Sequence, residues 1–286
     1  MRYWTQMPSV IVLSDKSSGS SVLQRILAES GSGTPLANTP HHEGETLFWC
    51  KANAALARPQ AEMQFGALPL PTSDSALRKL CEANGVTPGA VRTKADVFAL
   101  WDALTSCHGP VFVEKSPHHL HCEATLELLV DYAATGADVR FVGLVRNPMD
   151  ALYSMWSRWS QPPDLRQREW LRAYRNLQRF QARVGSAVRV VHYEHLVADP
   201  ATVDSLLDWC GIETVGERPR LHSRSLAAWR ADPLFGFQPD AEVVRLAGEL
   251  GYADESLFVE PSLRRALWPV FWRQRRLRRA TRLALG

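Results

Sequence analysis

Four short runs of branched apolar residues constrain this chain more than anything else in it: Ser9–Leu13 (SVIVL), Pro110–Val113 (PVFV), Val139–Val145 (VRFVGLV) and Val188–Tyr193 (VRVVHY). Each is too short for a buried helix and each runs into a polar turn, so all four predict strands covered on both faces. Helical periodicity follows the first of them. In Ser21–Ser30 (SVLQRILAES), Val22, Leu23, Ile26 and Leu27 share one face before Gly31 closes it. The alternation predicts an α/β fold: one three-layer domain with a central, mainly parallel sheet and helices on both faces.

The chain can build such a core. Its 286 residues are 45% hydrophobic, which excludes disorder and a disulfide-stapled mini-protein. No run approaches the roughly 18 uncharged apolar residues of a membrane-spanning helix. The start, MRYWTQMPSVIVLS, lacks the basic region and small-residue cleavage site of a signal peptide. A cytoplasmic location is therefore expected. Cys50, Cys81, Cys107, Cys122 and Cys210 are odd in number and include no C-x-x-C pair, so free thiols and no zinc clasp are expected.

Residues 1–260 are read as the α/β domain, with about 32–109 a looser, Pro-containing insertion or substrate lid. Residues 261–286 form a tail with eight arginines and no acid or lysine. The whole chain carries +3, so the body is mildly acidic and must hold any anionic ligand by local donors rather than by its overall field. In the tail, Leu263, Leu267, Val270, Phe271 and Leu277 fall on one helical stripe interrupted near Pro269. Peripheral contact with an anionic membrane and docking on the acidic body both suit this pattern.

The turn after the first run, Ser14-Asp15-Lys16-Ser17-Ser18-Gly19-Ser20-Ser21, carries the strongest chemical signal. Small residues let backbone N–H groups curl around an anion, hydroxyls add donors, and the following helix offers its positive end. A serine turn that merely caps a helix has the same composition. The nucleoside-triphosphate loop G-x-x-x-x-G-K-[ST] needs lysine after its second glycine, whereas Ser20 follows Gly19 here, which points to a different phosphorylated donor.

A second signal follows the run FVGLV: Arg146-Asn147-Pro148-Met149-Asp150, then Ser154. An arginine at a strand's carboxyl end faces the crevice where open α/β sheets bind ligands, and its planar fork suits phosphate. Pro148 suits a helix start, and that helix carries Ser154 toward the same side. A plain salt bridge from Arg146 to Asp150 is the alternative.

Together these motifs resemble those of the sulfotransferases that use 3′-phosphoadenosine 5′-phosphosulfate. The matching pattern is a Ser/Gly loop after the first strand and R-N-P-x-D-x-x-x-S after a later one. Further matches fall in order: Glu114-Lys115-Ser116-Pro117, then Val191-His192-Tyr193-Glu194-His195-Leu196 with Asp199-Pro200, then His222-Ser223-Arg224-Ser225 ahead of Trp229-Arg230. The resemblance spans about residues 9–252 and implies a P-loop-like domain. It also implies that Lys16, Ser17, Ser18, Gly19, Ser20 and Ser21 cradle the 5′-phosphosulfate. Arg146 and Ser154 would hold the 3′-phosphate, and Ser223 and Arg224 would border the adenosine end. Tyr193 and Glu194 are expected to be structural.

The chain departs from the family pattern at the loop cation. Ser17 stands where that family usually has lysine or arginine, and Lys16 lies one place earlier. Either Lys16 reaches in from its shifted position, or Lys115 takes the role, as the resemblance to heparan-type members suggests.

The chemistry needs a base for the attacking hydroxyl and a cation at the leaving oxygen, and no metal. In Thr39–Trp49 two imidazoles and two carboxylates precede an aromatic pair, where heparan-type members place their glutamate. Glu43 is favoured as the base, then His42. His41, His42, Glu43 and His118 lack zinc-site spacing, and His118, His119 and His121 read equally as surface or cap imidazoles.

The expected activity is sulfuryl transfer to a hydroxyl of a carbohydrate, glycolipid or small metabolite, with no nucleic-acid partner. An ATP-dependent small-molecule kinase and a non-catalytic nucleotide-binding scaffold are the alternatives.

Overall fold

Strand β1 (Ser9–Ser14) is buried along its whole length because it takes neighbours on both edges. In the computed structural model, which describes residues 8–30, 32–36, 38–57, 63–65, 68–70, 73–214, 223–268 and 270, it is joined in chain order by β2 (Gly33–Pro35), β3 (Met63–Phe65), β4 (Leu68–Leu70), β5 (Val111–Lys115), β6 (Val139–Val145) and β7 (Val188–His192). Five strands form an all-parallel sheet in the order β2-β5-β1-β6-β7, while β3 and β4 make a separate antiparallel pair. In the central register Ser9 faces Phe112 on one side and Val139 on the other, so the carboxyl ends of β1, β5 and β6 open on one edge.

The described helices are α1 (Ser20–Arg25), α2 (Phe48–Ala57), α3 (Ser73–Ala83), α4 (Lys94–Thr105), α5 (Glu123–Ala133), α6 (Pro148–Trp159), α7 (Pro163–Val184), α8 (Tyr193–Ala198), α9 (Pro200–Cys210), α10 (Ala228–Ala231), α11 (Ala241–Glu249) and α12 (Leu263–Ala266). Strand periodicity sorts them into layers. Ile11 and Leu13 face a core shared with Trp49, Trp101, Trp170 and Tyr174. Val10 and Val12 face the opposite core, with Leu23, Leu27, Leu206 and Leu207. Gly143 permits the close approach of α7, since a Cβ there would stand 2.9 Å from Leu177.

Much of the stretch read as an insertion builds this core. Strand β2 extends the sheet beside β5, and Phe48, Leu77, Leu80, Val97 and Trp101 join the larger cluster. Thr93 and Asp96 form a reciprocal cap at the start of α4, which fixes where that helix begins. Two boundaries differ from the sequence reading. The first helix widens into a π-helical turn at Ile26–Ser30. Strand β5 runs on through Glu114 and Lys115 because each buried charge finds partners.

Beyond the body, Trp268 packs on Trp156 and Phe235, whereas Leu263, Leu267 and Val270 lie exposed. The rest of the tail stripe, Phe271 and Leu277, lies outside the described residues. No helix among the described residues is long and apolar enough to cross a membrane.

Candidate functional site

The turn between β1 and α1 is held from three sides. Asp15 is buried and accepts a hydrogen bond from His121 Nε2 at 2.8 Å, with the Arg166 guanidinium 3.7 Å away. Burial alone would raise Asp15, but His121 and Arg166 outweigh it and hold the carboxyl below its ordinary range. Ser18 donates to the Tyr174 hydroxyl at 2.8 Å, which in turn donates to the Leu144 carbonyl at 3.1 Å. Ser17 adopts a positive φ of 60° and donates to Met155 Sδ on α6 at 2.8 Å.

Gly19 is the conformational key. Its φ is 92°, the left-handed region open to glycine, and a Cβ added there would sit 2.3 Å from the Tyr193 ring. With no side chain to cap α1, Gly19 leaves the first N–H groups of that helix facing the carboxyl edge of the sheet.

Arg146 reaches this turn from the end of β6. Its Nη1 donates to the Ser17 carbonyl at 2.9 Å and its Nη2 to the Ser225 carbonyl at 3.0 Å. The guanidinium carbon also lies 4.7 Å from the centre of the Tyr193 ring. Arg146 Nε is buried and has no partner among the described residues, so one N–H of the fork is unspent.

Asp150 does not take up that charge by a direct bridge. Its Oδ1 accepts from the Ala227 N–H at 2.7 Å, and burial lifts its carboxyl to about 6 despite Arg146 nearby. The helix start itself is fixed by Asn147, whose Oδ1 accepts from the Met149 N–H at 2.9 Å, and by Glu194, which accepts from the Asn147 N–H at 2.9 Å and from the Tyr252 hydroxyl at 3.0 Å. Ser154 is half-buried on α6, next to the Met155 that touches Ser17.

On the other side of the turn lies a cluster of charges. Lys115 is fully buried at the end of β5, and its Nζ donates to Ser21 Oγ at 3.2 Å and lies 3.6 Å from Glu45. Ser21 donates to Glu43, an exposed carboxylate with φ 55°. Glu45 is largely buried and stands 3.7 Å from His118 Nδ1; burial pushes its carboxyl up, though Lys115 pulls the other way. Burial and the nearby Lys16 push His118 down to about 3, so this imidazole is neutral. Lys16 itself is half-buried, and burial followed by the Arg166 charge lowers its amine.

The strained segment that carries Glu43 and Glu45 is anchored on β5. Thr46 donates to Glu114 at 2.8 Å, and Ser116 accepts from the Leu47 N–H at 2.9 Å, where Leu47 is itself held at φ 51°. Glu114 also meets His119 Nε2 at 3.1 Å in a fully buried pair, and His119 Nδ1 faces Cys50 Sγ at 3.3 Å. Burial would lower His119, but Glu114 outweighs it and lifts the imidazole to about 10.

Of the residues read from sequence, Lys16 to Ser21, Glu43, Lys115 and Arg146 therefore converge on one edge, with Ser154 beside them. Ser223 is exposed in a short turn, two residues from the Ser225 carbonyl that Arg146 holds. The side chains of His42 and Arg224 lie outside the described residues. Sequence reasoning missed His121, Arg166 and Tyr174 as supports of the turn, and Glu45 as a second buried acid. The pairing of Asp15 with His121 spans 106 positions and leaves no local signature, whereas Glu45 was visible as the acid nearest the aromatic pair Phe48–Trp49.

Comparison with known proteins bears on the family and the fold. A family model described as the sulfotransferase family matches residues 8–216. Among solved structures, the sulfotransferase domain from the Synechococcus PCC 7002 olefin synthase is similar at a TM-score of 0.58 and 18% identity, over 88% of this chain and 98% of that one. The sulfotransferase domain from the curacin biosynthetic pathway is similar at 0.52 and 17%, over 87% and 99%. At these identities the likeness is one of fold. A sequence search of curated proteins finds no match.

Proposed function

Because the chain belongs to the sulfotransferase family, we propose that it moves a sulfuryl group from 3′-phosphoadenosine 5′-phosphosulfate to a hydroxyl of a carbohydrate, glycolipid or small metabolite. The observation that carries this reading is the meeting of two anion-binding elements, 2.9 Å apart at Arg146 Nη1 and the Ser17 carbonyl. A nucleotide with two separated anionic ends suits such a crevice better than one with a single phosphate chain. Arg146 Nε and the start of α1 supply donors that have no side-chain partner among the described residues.

The donor supplies a sulfur centre and a good leaving group, and the remaining work falls to the chain. Loop N–H groups around Gly19 and the Ser20 hydroxyl hold the 5′ end, while the hydroxyls of Ser17, Ser18 and Ser21 donate to Met155, Tyr174 and Glu43 and shape the turn. Arg146 and Ser154 hold the 3′-phosphate, with Ser223 and Arg224 toward the adenosine. As the acceptor oxygen bonds to sulfur and the bond from sulfur to the bridging oxygen breaks, Lys115 offsets the charge left on that oxygen. The acceptor proton passes to a carboxylate. Glu43 contacts the loop through Ser21, while burial beside Lys115 gives Glu45 the raised basicity that suits a general base, so Glu45 joins Glu43 and His42 as a candidate.

Titration calorimetry with 3′,5′-adenosine bisphosphate against ATP plus magnesium tests the donor assignment. The bisphosphate is expected to bind more tightly; preference for ATP would establish the kinase reading instead. Turnover of donor with a panel of hydroxyl acceptors then separates an enzyme from a nucleotide-binding scaffold.

A further inference from the structure

Helix α7 has two working faces, and donor handling uses only one of them. Its inner face carries Trp170, Tyr174 and Leu177 into the core, and Tyr174 steadies Ser18. On its outer face Arg168, Arg172, Arg175 and Arg179 recur at intervals of four, three and four residues, which places all four on one stripe. The stripe lines an open cleft of about 480 Å³ whose other walls include Glu123 at the start of α5 and Asp240 and Glu242 at the start of α11.

The charges along this cleft are incompletely matched. Arg175 lies 3.5 Å from Glu242 and Arg179 2.9 Å from Glu123, both exposed pairs that contribute little and exchange readily for another anion. Arg168 and Arg172 have no acidic partner among the described residues. The end that holds Arg168 and Arg172 lies within two helical turns of Arg166, whose guanidinium stands 3.7 Å from Asp15 in the turn after β1.

We propose that this cleft is the acceptor subsite and that it takes a saccharide bearing carboxylate or sulfate groups, an inference that rests on the sulfotransferase reading above. Guanidinium forks pair bidentately with carboxylate and sulfate, and the four arginines span roughly 16 Å along the helix, a length that favours a linear chain over a single small anion. The interleaved carboxylates accept hydrogen bonds from sugar hydroxyls, which a purely basic groove does not do. Among the described residues no aromatic side chain lines the cleft, so it offers no stacking platform of the kind on which single-stranded nucleic acids bind.

Calorimetric titration of the full chain tests this, with an oligogalacturonate and a sulfated oligodextran as probes, a neutral maltooligosaccharide and poly(U) as controls, and bisphosphate titrated separately. The anionic saccharides are expected to bind in a salt-dependent way, and Arg168→Gln and Arg172→Gln each to weaken them about tenfold or more while leaving bisphosphate affinity essentially unchanged. Both side chains are exposed, so the variants retain the fold. If bisphosphate binds but the anionic saccharides do not, or bind the variants as well as the parent, the subsite is refuted. Equal binding of the neutral saccharide, or tighter binding of poly(U), also overturns the assignment. If the saccharides bind and bisphosphate does not, the donor reading fails, and the acceptor role of the cleft fails with it.

Discussion

Replacing Arg146 with alanine removes two hydrogen bonds from a charged donor at once, to the carbonyls of Ser17 and Ser225. Bonds of that kind contribute roughly 1.5–3 kcal/mol each, and the contact with the Tyr193 ring adds about 0.5–1 kcal/mol. The residue is 5% exposed, so water replaces the lost partners poorly, yet the terms share one side chain and do not add fully. A loss of about 3–4 kcal/mol in stability follows, or a melting temperature lower by roughly 5–7 °C for a chain of 286 residues, whose unfolding entropy is about 0.6 kcal/mol/K.

Losing the cation also removes what holds Asp150 down. A carboxyl already at about 6 moves further up, toward protonation at neutral pH. For the ligand, loss of at least one charge-assisted bond weakens bisphosphate binding by roughly 1.5–3 kcal/mol, or about tenfold to 150-fold. Arg146→Lys is the informative companion, because it keeps the charge but cannot span both carbonyls. Thermal melting and calorimetric titration on all three proteins check the argument. An alanine variant that melts lower but binds bisphosphate with parental affinity refutes Arg146 as a ligand group and leaves it a structural tie only.

Gly19→Ala places a Cβ against Tyr193 in a left-handed backbone that costs about 1–2 kcal/mol for alanine, so bisphosphate affinity should fall while circular dichroism stays near parental; intact affinity contradicts the cradle. Glu45→Gln and Glu43→Gln should both bind bisphosphate, and whichever acid is the base should lose about a hundredfold or more in turnover. For Glu45, whose carboxyl is raised, the parental rate should also decline as pH falls through that raised value; two fully active variants would move the base elsewhere. Lys115→Met should depress kcat far more than Lys16→Met, and the opposite order transfers the cation's role to Lys16. His119 sits at about 10 in the folded chain, above the roughly 6.5 of an unfolded histidine, so its pairing stabilises fully below the lower value and the benefit disappears as pH rises through the upper one. The gap in melting temperature between the parent and His119→Gln should therefore shrink from neutral pH toward pH about 10, and a constant gap excludes this pair as the source.

The sequence by itself determined the layered fold and the positions of the two candidate anion-binding elements. Alternating branched runs define strands such as SVIVL because side-chain period and burial are local properties. A strand followed by small residues and a helix places Gly19 in the turn at the carboxyl edge of the sheet by connectivity alone, and an arginine at the end of FVGLV must emerge at the same edge of a parallel sheet. Strand β5 already showed the limit of this logic, since its last two residues are charged and only remote partners keep them in the ladder.

Tertiary structure alone decided which charges act together. Lys115 meets Ser21 across 94 positions, Asp15 meets His121 across 106, and Arg146 finds the Ser17 carbonyl across 129. The basicity of Glu45, the charge on His119 and the neutrality of His118 depend on burial and on neighbours brought in by other segments. The arginines of α7 likewise line a cleft only because α5 and α11 supply its walls. Periodicity and turn chemistry act over a few residues and are written along the chain, whereas electrostatic environment is set by distance in space, which exists only once the sheet and its helices have assembled.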